Sequence, residues 1–416
     1  MGRAADHARG SGEAMRFSGR LPSRLILKYY IYQATTTFGF FWPVFTLFLL
    51  SRGLSYTEIG LLSSLSAGAT VVGEVPTGYV GDRLGRRNSL VIGAALLTVS
   101  LLGFVVVHTF WGFAVLWVLW GLGGAFQSGS ADAWLYDALE THLDEGEYTR
   151  IRGRGGSVNQ WVSAATMLTA GGLYSIDHRL PFLAGGLLLA LSIPVVLSFP
   201  RTATDTDEDE LTVLDALPVI QERLTAPPLR SLVLYVALFF AIIGAADEFI
   251  QPIATRTLGL PETGLGPLYA SFTVVAAIAS YFAGDIEDRL STSGAVFVVS
   301  VTTTILFVVP AFAPLAAFPL FFGMKASQAV LRPIVSGYIN DHVASLGRAT
   351  VLSAASLVYA VVRLPLRPMV GWIADLTAPI PTTALLGGVF LASAAVIYSW
   401  ETPAGNADAS PGQTAD

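Results

Sequence analysis

Ionisable side chains stand inside long apolar stretches of this chain: Glu74 and Asp132 in its first half, and Asp247, Glu248, Lys325, Arg332, Arg363 and Arg367 in its second. A charge held in hydrocarbon costs roughly 2.5 to 3.5 kcal/mol on insertion scales, so such residues are retained where they face a wet cavity or a partner. Their natural work is to bind a charged solute, to carry a proton or to pair with one another. Counting along the stretches puts Lys325 and Arg363 nearest mid-depth, and they are the best cavity candidates. This lead of cations near mid-depth points to an anionic or zwitterionic solute. Asp247 and Glu248 lie toward the outer end of their stretch, placed for one of them to pair with Lys325 or to guard an outer gate. Arg332 and Glu74 fall in the inner third, where structural pairing is favoured over solute contact, and Arg367 is far enough out to snorkel. Tyr30, Gln33, Trp42, Trp134, Gln251 and Gln328 share these segments and are candidates to line a cavity.

A second constellation lies outside the apolar runs. The stretch GEVPTGYVGDRLGRRNSL, residues 73–90, sets Asp82, Arg83, Arg86 and Arg87 among the glycines Gly78, Gly81 and Gly85. Enzymatic chemistry finds no support. There is no G-x-x-x-x-G-K-[ST] phosphate loop and no G-x-S-x-G elbow. The five His are scattered without metal-ligand spacing, and the absence of Cys removes thiol chemistry and thiolate metal sites. No catalytic residue, metal or cofactor is expected. The basic residues follow topology rather than forming a patch, so nucleic acid is not expected as a partner.

The elements that position these residues follow from composition. Of 416 residues, 53% are hydrophobic and 13% charged, against roughly 25% charged in a soluble domain. Segments of about 20 apolar residues recur, long enough to cross a bilayer. They lack a period of two, and a chain in lipid must pair its amides within the segment, so helices are expected. Twelve spans are read, at 25–50, 57–80, 89–108, 112–138, 156–175, 181–198, 230–254, 264–284, 293–310, 314–338, 349–373 and 381–399. Sixteen Lys or Arg fall on the side of the N-terminus and only Arg52, Arg179 and Arg256 on the other, which places both termini in the cytoplasm. The expected organisation is a cytoplasmic tail (1–24), a six-helix bundle (25–199), an acidic and amphipathic linker (200–229), a second six-helix bundle (230–400) and a disordered cytoplasmic tail (401–416).

The two bundles are faint copies. FFWPVFTLFLLSRGLSYTEIGLL, from Phe40, lies against FIQPIATRTLGLPETGLGPL, from Phe249, pairing Pro43 with Pro252, Gly53 with Gly259 and Gly60 with Gly266. GDRLGRR at Gly81 has a faded counterpart in GDIEDRL at Gly284. Two such halves facing each other can rock about a central cavity.

The motif GYVGDRLGRR resembles the signature of the major facilitator superfamily between its second and third helices, with Val80 and Gly81 as soft departures. SGSADAWLYDAL, RPIVSGYIND and GRATVLSAAS are similar to stretches of a prokaryotic subgroup of that family. The resemblance implies an all-α membrane fold of twelve helices in two pseudo-symmetric halves. It implies a secondary transporter, working as a monomer in the plasma membrane, that moves a small solute by alternating access. In this family Asp82 faces the N-terminal end of the eleventh helix, and Arg86 can pair with a carboxylate closing the fourth, for which Asp137 is the candidate. Gly78 and Gly81 permit close helix approach and Gly85 the turn, so that Gly78, Asp82, Arg83, Gly85, Arg86, Arg87 and Asp137 form a conformational latch. Candidate substrate or coupling residues are Glu74, Asp132, Asp247, Glu248, Gln251, Lys325, Gln328, Arg332 and Arg363. Proton coupling through one of the four carboxylates stays open. The drug exporters of the superfamily carry an Arg early in the fourth helix, where this chain has Trp117, and a G-P-x-x-G-G motif in the fifth, where it has TAGGLYS. An efflux antiporter is therefore the alternative, and a non-transporting sensor or scaffold the alternative of another class.

Overall fold

Long apolar runs leave the backbone no solvent to bond, so the chain folds almost wholly into helices. The structure, a computed structural model, describes residues 24–142, 147–201, 229–341 and 348–404, without the side chains of Val75, Asp82, His142 and residues 348–357. The expected linker helix and most of both tails lie outside the described residues. In the first half run α1 (Arg24–Thr35), α2 (Phe45–Ser51), α3 (Tyr56–Leu84), α4 (Arg86–Val106), α5 (Phe110–Gln127), α6 (Ser130–His142), α7 (Tyr148–Ile176), α8 (Leu180–Ala190) and α9 (Ser192–Leu197). In the second run α10 (Leu229–Ala246), α11 (Leu265–Tyr281), α12 (Ala283–Val308), α13 (Ala317–Asp341), α14 (Arg348–Leu376) and α15 (Pro379–Trp400).

Among the described residues, seven segments are long and apolar enough to cross a membrane: α4, α5 with α6, α8 with α9, α10 with the turns after it, Glu262–Tyr281, α12 with its last turn, and α15. The other expected spans are also helical, but each is interrupted or charged. Local sequence explains their ends. Ser55 caps α3 by accepting from the Glu58 amide at 3.2 Å, while the Glu58 carboxylate accepts from the Ser55 amide at 2.8 Å. Gly85, at φ 83°, joins α3 to α4 in a conformation that a side chain disfavours.

Four expected spans are broken, one of them, 181–198, by the turn at Leu191 between α8 and α9. The span 25–50 divides between α1 and α2. Thr35 and Thr36 turn their hydroxyls back on the Tyr32 carbonyl, which competes with helix continuation. The break also lets Gly39 reach α7, where a Cβ would lie 2.1 Å from Thr166 Oγ1. The span 112–138 breaks at Gly129, φ 71°. The span 230–254 loses its regular α-helix after Ala246, passing through a 3-10 turn at Asp247–Phe249, a short α-helical stretch at Ile250–Pro252 and a π turn at Ile253–Thr257. A further correction concerns the C-terminal tail. It was expected to leave the fold after Trp400, but Glu401 accepts from Arg230 at 2.6 Å and the Pro403 carbonyl from Ser293 at 2.9 Å.

The residues paired between halves occupy matching places. Gly53 and Gly259 both have positive φ, 85° and 72°. Gly60 and Gly266 both sit where a helix of one half touches backbone of the other. Where GDIEDRL ends, Ser291 takes φ 60° in the role that Gly85 fills after GDRL.

Candidate functional site

The irregular turns after α10 bring Asp247 and Glu248 inward together. The Lys325 ammonium, from α13, forms a short ion pair with Asp247, each side chain about a fifth exposed. Glu248 accepts from Ser63 of α3 at 2.9 Å and lies 3.4 Å from an Arg367 nitrogen of α14. Arg367, expected to snorkel outward, is instead 18% exposed and also donates to the Gly244 carbonyl. A guanidinium in this position is more stable beside a half-buried carboxylate than in lipid. Gln251 is committed as well: its oxygen accepts from the Thr46 and Leu47 amides, and its nitrogen donates to the Trp42 carbonyl and the Tyr269 hydroxyl. It ties the broken first helix to the second half and has no donor left for a solute.

Two cations are left without such partners. Arg363, half-buried on α14, lines a cavity of about 550 Å³ with Arg332 and Gln328 of α13 and Phe240 of α10. Its Nε is buried and unpartnered. Arg332, expected to pair structurally, has no ion pair among the described residues and is exposed to this cavity. A neighbouring cavity of about 310 Å³ shares Gln328 and Arg332 and adds Lys325, Trp42 and Gln160. A tighter one, about 90 Å³, lies between the halves and is lined by Trp42, Trp117, Asp247, Glu248 and Arg367. Of the other aromatic and amide candidates, Trp134 is fully buried, stacked on Phe199 at 3.9 Å and donating to the Pro200 carbonyl. Gln33 donates to the Tyr29 hydroxyl, and Tyr30 packs against the cluster around Tyr29 and Trp134.

The halves meet closely at the end away from the Gly85 turn. A Cβ on Gly60 would lie 2.6 Å from the Arg367 carbonyl oxygen, and one on Gly371 would lie 2.3 Å from that of Tyr56. On the other flank, Gly171 and Gly266 would collide with the carbonyls of Glu262 and Met167 at 2.2 Å. Asp375, in the last turn of α14, accepts from the Tyr56 amide at 2.8 Å and from the Thr57 amide and hydroxyl at 2.9 and 2.6 Å. Sequence reading missed Asp375, Ser63 and the inward turn of Arg367. One signal was present: GWIAD, residues 371–375, repeats the pattern of GYVGD, residues 78–82, also at a helix end.

At the Gly85 end, Arg86 Nε lies 2.8 Å from Asp137 of α6. Arg87 donates to the Phe199 carbonyl at 3.4 Å, and the Arg83 guanidinium stacks over Tyr79. Asp132 is held by both Nε and Nη2 of Arg152 at 2.8 and 2.7 Å, which raises the Arg152 pKa above its ordinary value. This pair is roughly half exposed. Glu74 is exposed and has no ion pair among the described residues. Gly81 packs against Ser89, but Gly78, expected at a close helix approach, has nothing within 4 Å among the described residues, and neither have Gly153 and Gly156 of α7. The Asp82 side chain lies outside the described residues.

The sequence pattern of the Major Facilitator Superfamily matches residues 33–364. The chain belongs to that superfamily. Its likeness to the family's transporters extends over most of its length. An uncharacterised transporter of the superfamily from Bacillus subtilis (strain 168), YxaM, is 24% identical over 345 residues, 78% of this chain and 82% of that protein. Among solved structures, the nucleoside transporter NupG superposes with a TM-score of 0.73 at 12% identity, covering 90% of this chain and 97% of NupG. A D-xylose–proton symporter superposes with a TM-score of 0.65 at 13% identity, covering 91% and 96%. These structural likenesses establish the fold. Membership establishes an integral membrane protein of a transporter family, and a small solute as its cargo. The line of descent is that of transporters rather than enzymes.

Proposed function

We propose that this chain is a secondary transporter that moves a small solute across the plasma membrane by alternating access. The observation that carries the reading is the asymmetry of contact between its halves. At the Asp375 end they touch backbone to backbone through Gly60, Gly371, Gly171 and Gly266, while at the Gly85 end Gly78, Gly153 and Gly156 face open space among the described residues. Between these ends lie cavities lined by charge from the second half and by Trp42 and Gln160 from the first. A molecule closed at one end and loose at the other, with a polar cavity between, is one state of a rocking cycle.

In this reading five interrupted or charged helical segments span the bilayer with the seven apolar ones, giving twelve spans with both termini cytoplasmic. The Asp375 end then faces outward and the state is inward-facing. The Arg86–Asp137 pair is a latch on the inner side whose rearrangement accompanies opening and closing, with Gly78, Asp82, Arg83, Gly85 and Arg87 as its other parts. The functional unit is one chain. Glu248 is the favoured coupling carboxylate, because it is half-buried and contacts both halves at once through Ser63 and Arg367. Asp132 is held by Arg152 near the inner mouth and Asp247 by Lys325, each within one half of the molecule.

The test is a solute screen in proteoliposomes, with and without an imposed proton gradient, comparing wild type with Arg363→Ala and Lys325→Ala. Saturable uptake abolished by Arg363→Ala supports the reading. Absence of uptake for every solute class, in protein shown to be folded and correctly inserted, rejects transport in favour of a sensor or scaffold. Uptake that ignores the gradient rejects proton coupling.

A further inference from the structure

The charge balance of the cavities in the second half is unequal. Four cations, Lys325, Arg332, Arg363 and Arg367, line them against two carboxylates, Asp247 and Glu248. Both carboxylates are engaged, Asp247 by Lys325 and Glu248 by Arg367 and Ser63. Among the described residues, Arg332 and Arg363 therefore meet in the cavity of about 550 Å³ with no acidic residue on its wall. Arg332 is exposed and keeps its water, whereas half-buried Arg363 gives up part of its own, and an anion between the two guanidiniums would offset that loss. The Arg363 Nε is buried without a hydrogen-bond partner among the described residues, as are those of Arg87 and Arg367.

The rest of the wall indicates what fits. Gln328 and Ser336 offer neutral hydrogen-bonding groups, while Phe240, Val335 and Ile339 supply apolar surface. Ligand pockets commonly combine a mostly apolar wall with a few placed polar groups. Guanidiniums match the planar, two-oxygen face of a carboxylate or phosphate and bind it with short, charge-assisted bonds. The volume suits a small organic molecule.

We propose that Arg332 and Arg363 form an oxyanion subsite that holds the carboxylate or phosphate of an amphipathic solute, with the apolar body of that solute against Phe240, Val335 and Ile339. The proposal rests on the transporter reading for its biological purpose but not for its test, because binding needs neither a gradient nor a second compartment. Lys325 is the neighbouring cation already spent on Asp247, so it orients that carboxylate away from the subsite rather than binding the anion. The same oxyanion chemistry is carried by an anionic lipid headgroup, and the experiment separates the two sources.

Purified full-length protein in a neutral maltoside detergent is titrated with benzoate and phenyl phosphate, alongside uncharged benzamide, by calorimetry. A parallel series contains phosphatidylglycerol. The expected result is saturable binding of the anions, with benzamide at least roughly tenfold weaker, as loss of charge-assisted bonds implies. Arg332→Gln and Arg363→Gln each weaken anion binding by roughly tenfold or more, and Arg363→Lys recovers part of the loss. Recovery by Lys distinguishes a lost charge from a misfolded protein. Displacement of the soluble anions by phosphatidylglycerol upholds the subsite and assigns the headgroup as its source. Equal binding of anions and benzamide, no anion binding, or anion binding unchanged in both Gln variants overturns the proposal. Anion binding without uptake in liposomes would sink the transport reading while leaving the subsite standing; uptake of a neutral solute insensitive to both Gln variants would do the reverse.

Discussion

Asp375 caps a helix of the opposite half: its carboxylate accepts the amides of Tyr56 and Thr57 at 2.8 and 2.9 Å and the Thr57 hydroxyl at 2.6 Å. The first turn of α3 carries amides with no partner in the helix and the positive end of its dipole, so a carboxylate arriving from α14 satisfies both. The placement is reciprocal to the one that the superfamily resemblance implies for Asp82. GYVGD ends α3, and GWIAD ends α14. Asp375 closes α14 where α3 begins, and the resemblance implies the converse for Asp82 at the end of α3.

Removing that cap loosens the Asp375 end. Asp375→Ala is expected to cost about 1 to 2 kcal/mol, as for other N-cap deletions, shifting the population toward separation of the halves there by roughly 5- to 30-fold. The chain has no Cys, so paired spin labels can be introduced at this end without background. Longer label distances in the variant are the expected result. An unchanged distance distribution would show that the glycine contacts alone hold this end shut.

The same pair sets a pH dependence. Partial burial pushes the Asp375 carboxyl up, but its bonds from Thr57 and Tyr56 outweigh this and leave its pKa below the ordinary value. A depressed folded pKa means that the contact contributes fully above the unfolded value, about 4 for Asp, and is lost as pH falls through the lower folded value. Label distances at this end are expected to stay constant from neutral pH down to about 4 and to lengthen below it. Opening that is complete by mildly acidic pH would assign the transition to another group.

The contacts hardest to read from sequence are those made between halves. The charged turn with its Gly85, the long apolar helices and the paired glycines are local or periodic features, legible because neighbouring residues carry them. Asp375 meets Tyr56 across 319 positions, and an isolated Asp at a helix end otherwise resembles an ordinary surface residue. Arg367 was misplaced for a related reason: depth along a span can be counted, but the direction of a side chain depends on which helix lies beside it, here the turn that carries Glu248. The depth of Arg332 and its match to positions typical of the prokaryotic subgroup favour structural pairing, and no ion-pair partner faces it among the described residues.

Glu248 and Arg367 act as a half-buried unit. Each side chain is 18% exposed, so truncating one strands the other's charge. Glu248→Ala is expected to destabilise the protein by about 3 to 5 kcal/mol, and Glu248→Leu with Arg367→Leu by much less, because no unpaired charge remains. Thermal unfolding in detergent reads both variants. A double variant as unstable as the single one would mean that Ser63 and the cavity shape, rather than charge pairing, keep Glu248 in place.

Glycine contacts at the closed end yield the sharpest geometric prediction. A Cβ on Gly266 would stand 2.2 Å from the Met167 carbonyl oxygen and one on Gly371 2.3 Å from that of Tyr56, both backbone atoms that cannot swing aside. Gly266→Ala and Gly371→Ala must therefore push the halves apart at this end. Gly156→Ala, where nothing lies within 4 Å, serves as the matched substitution at the opposite end. In this conformation its helix gains up to about 1 kcal/mol from the better propensity of Ala. Spin-label distances are expected to lengthen at the Asp375 end for the first two variants and to hold for the third. Should Gly156→Ala instead bias the halves as strongly, the open space beside α7 closes elsewhere in the cycle, and a glycine is needed there for the approach of the second half.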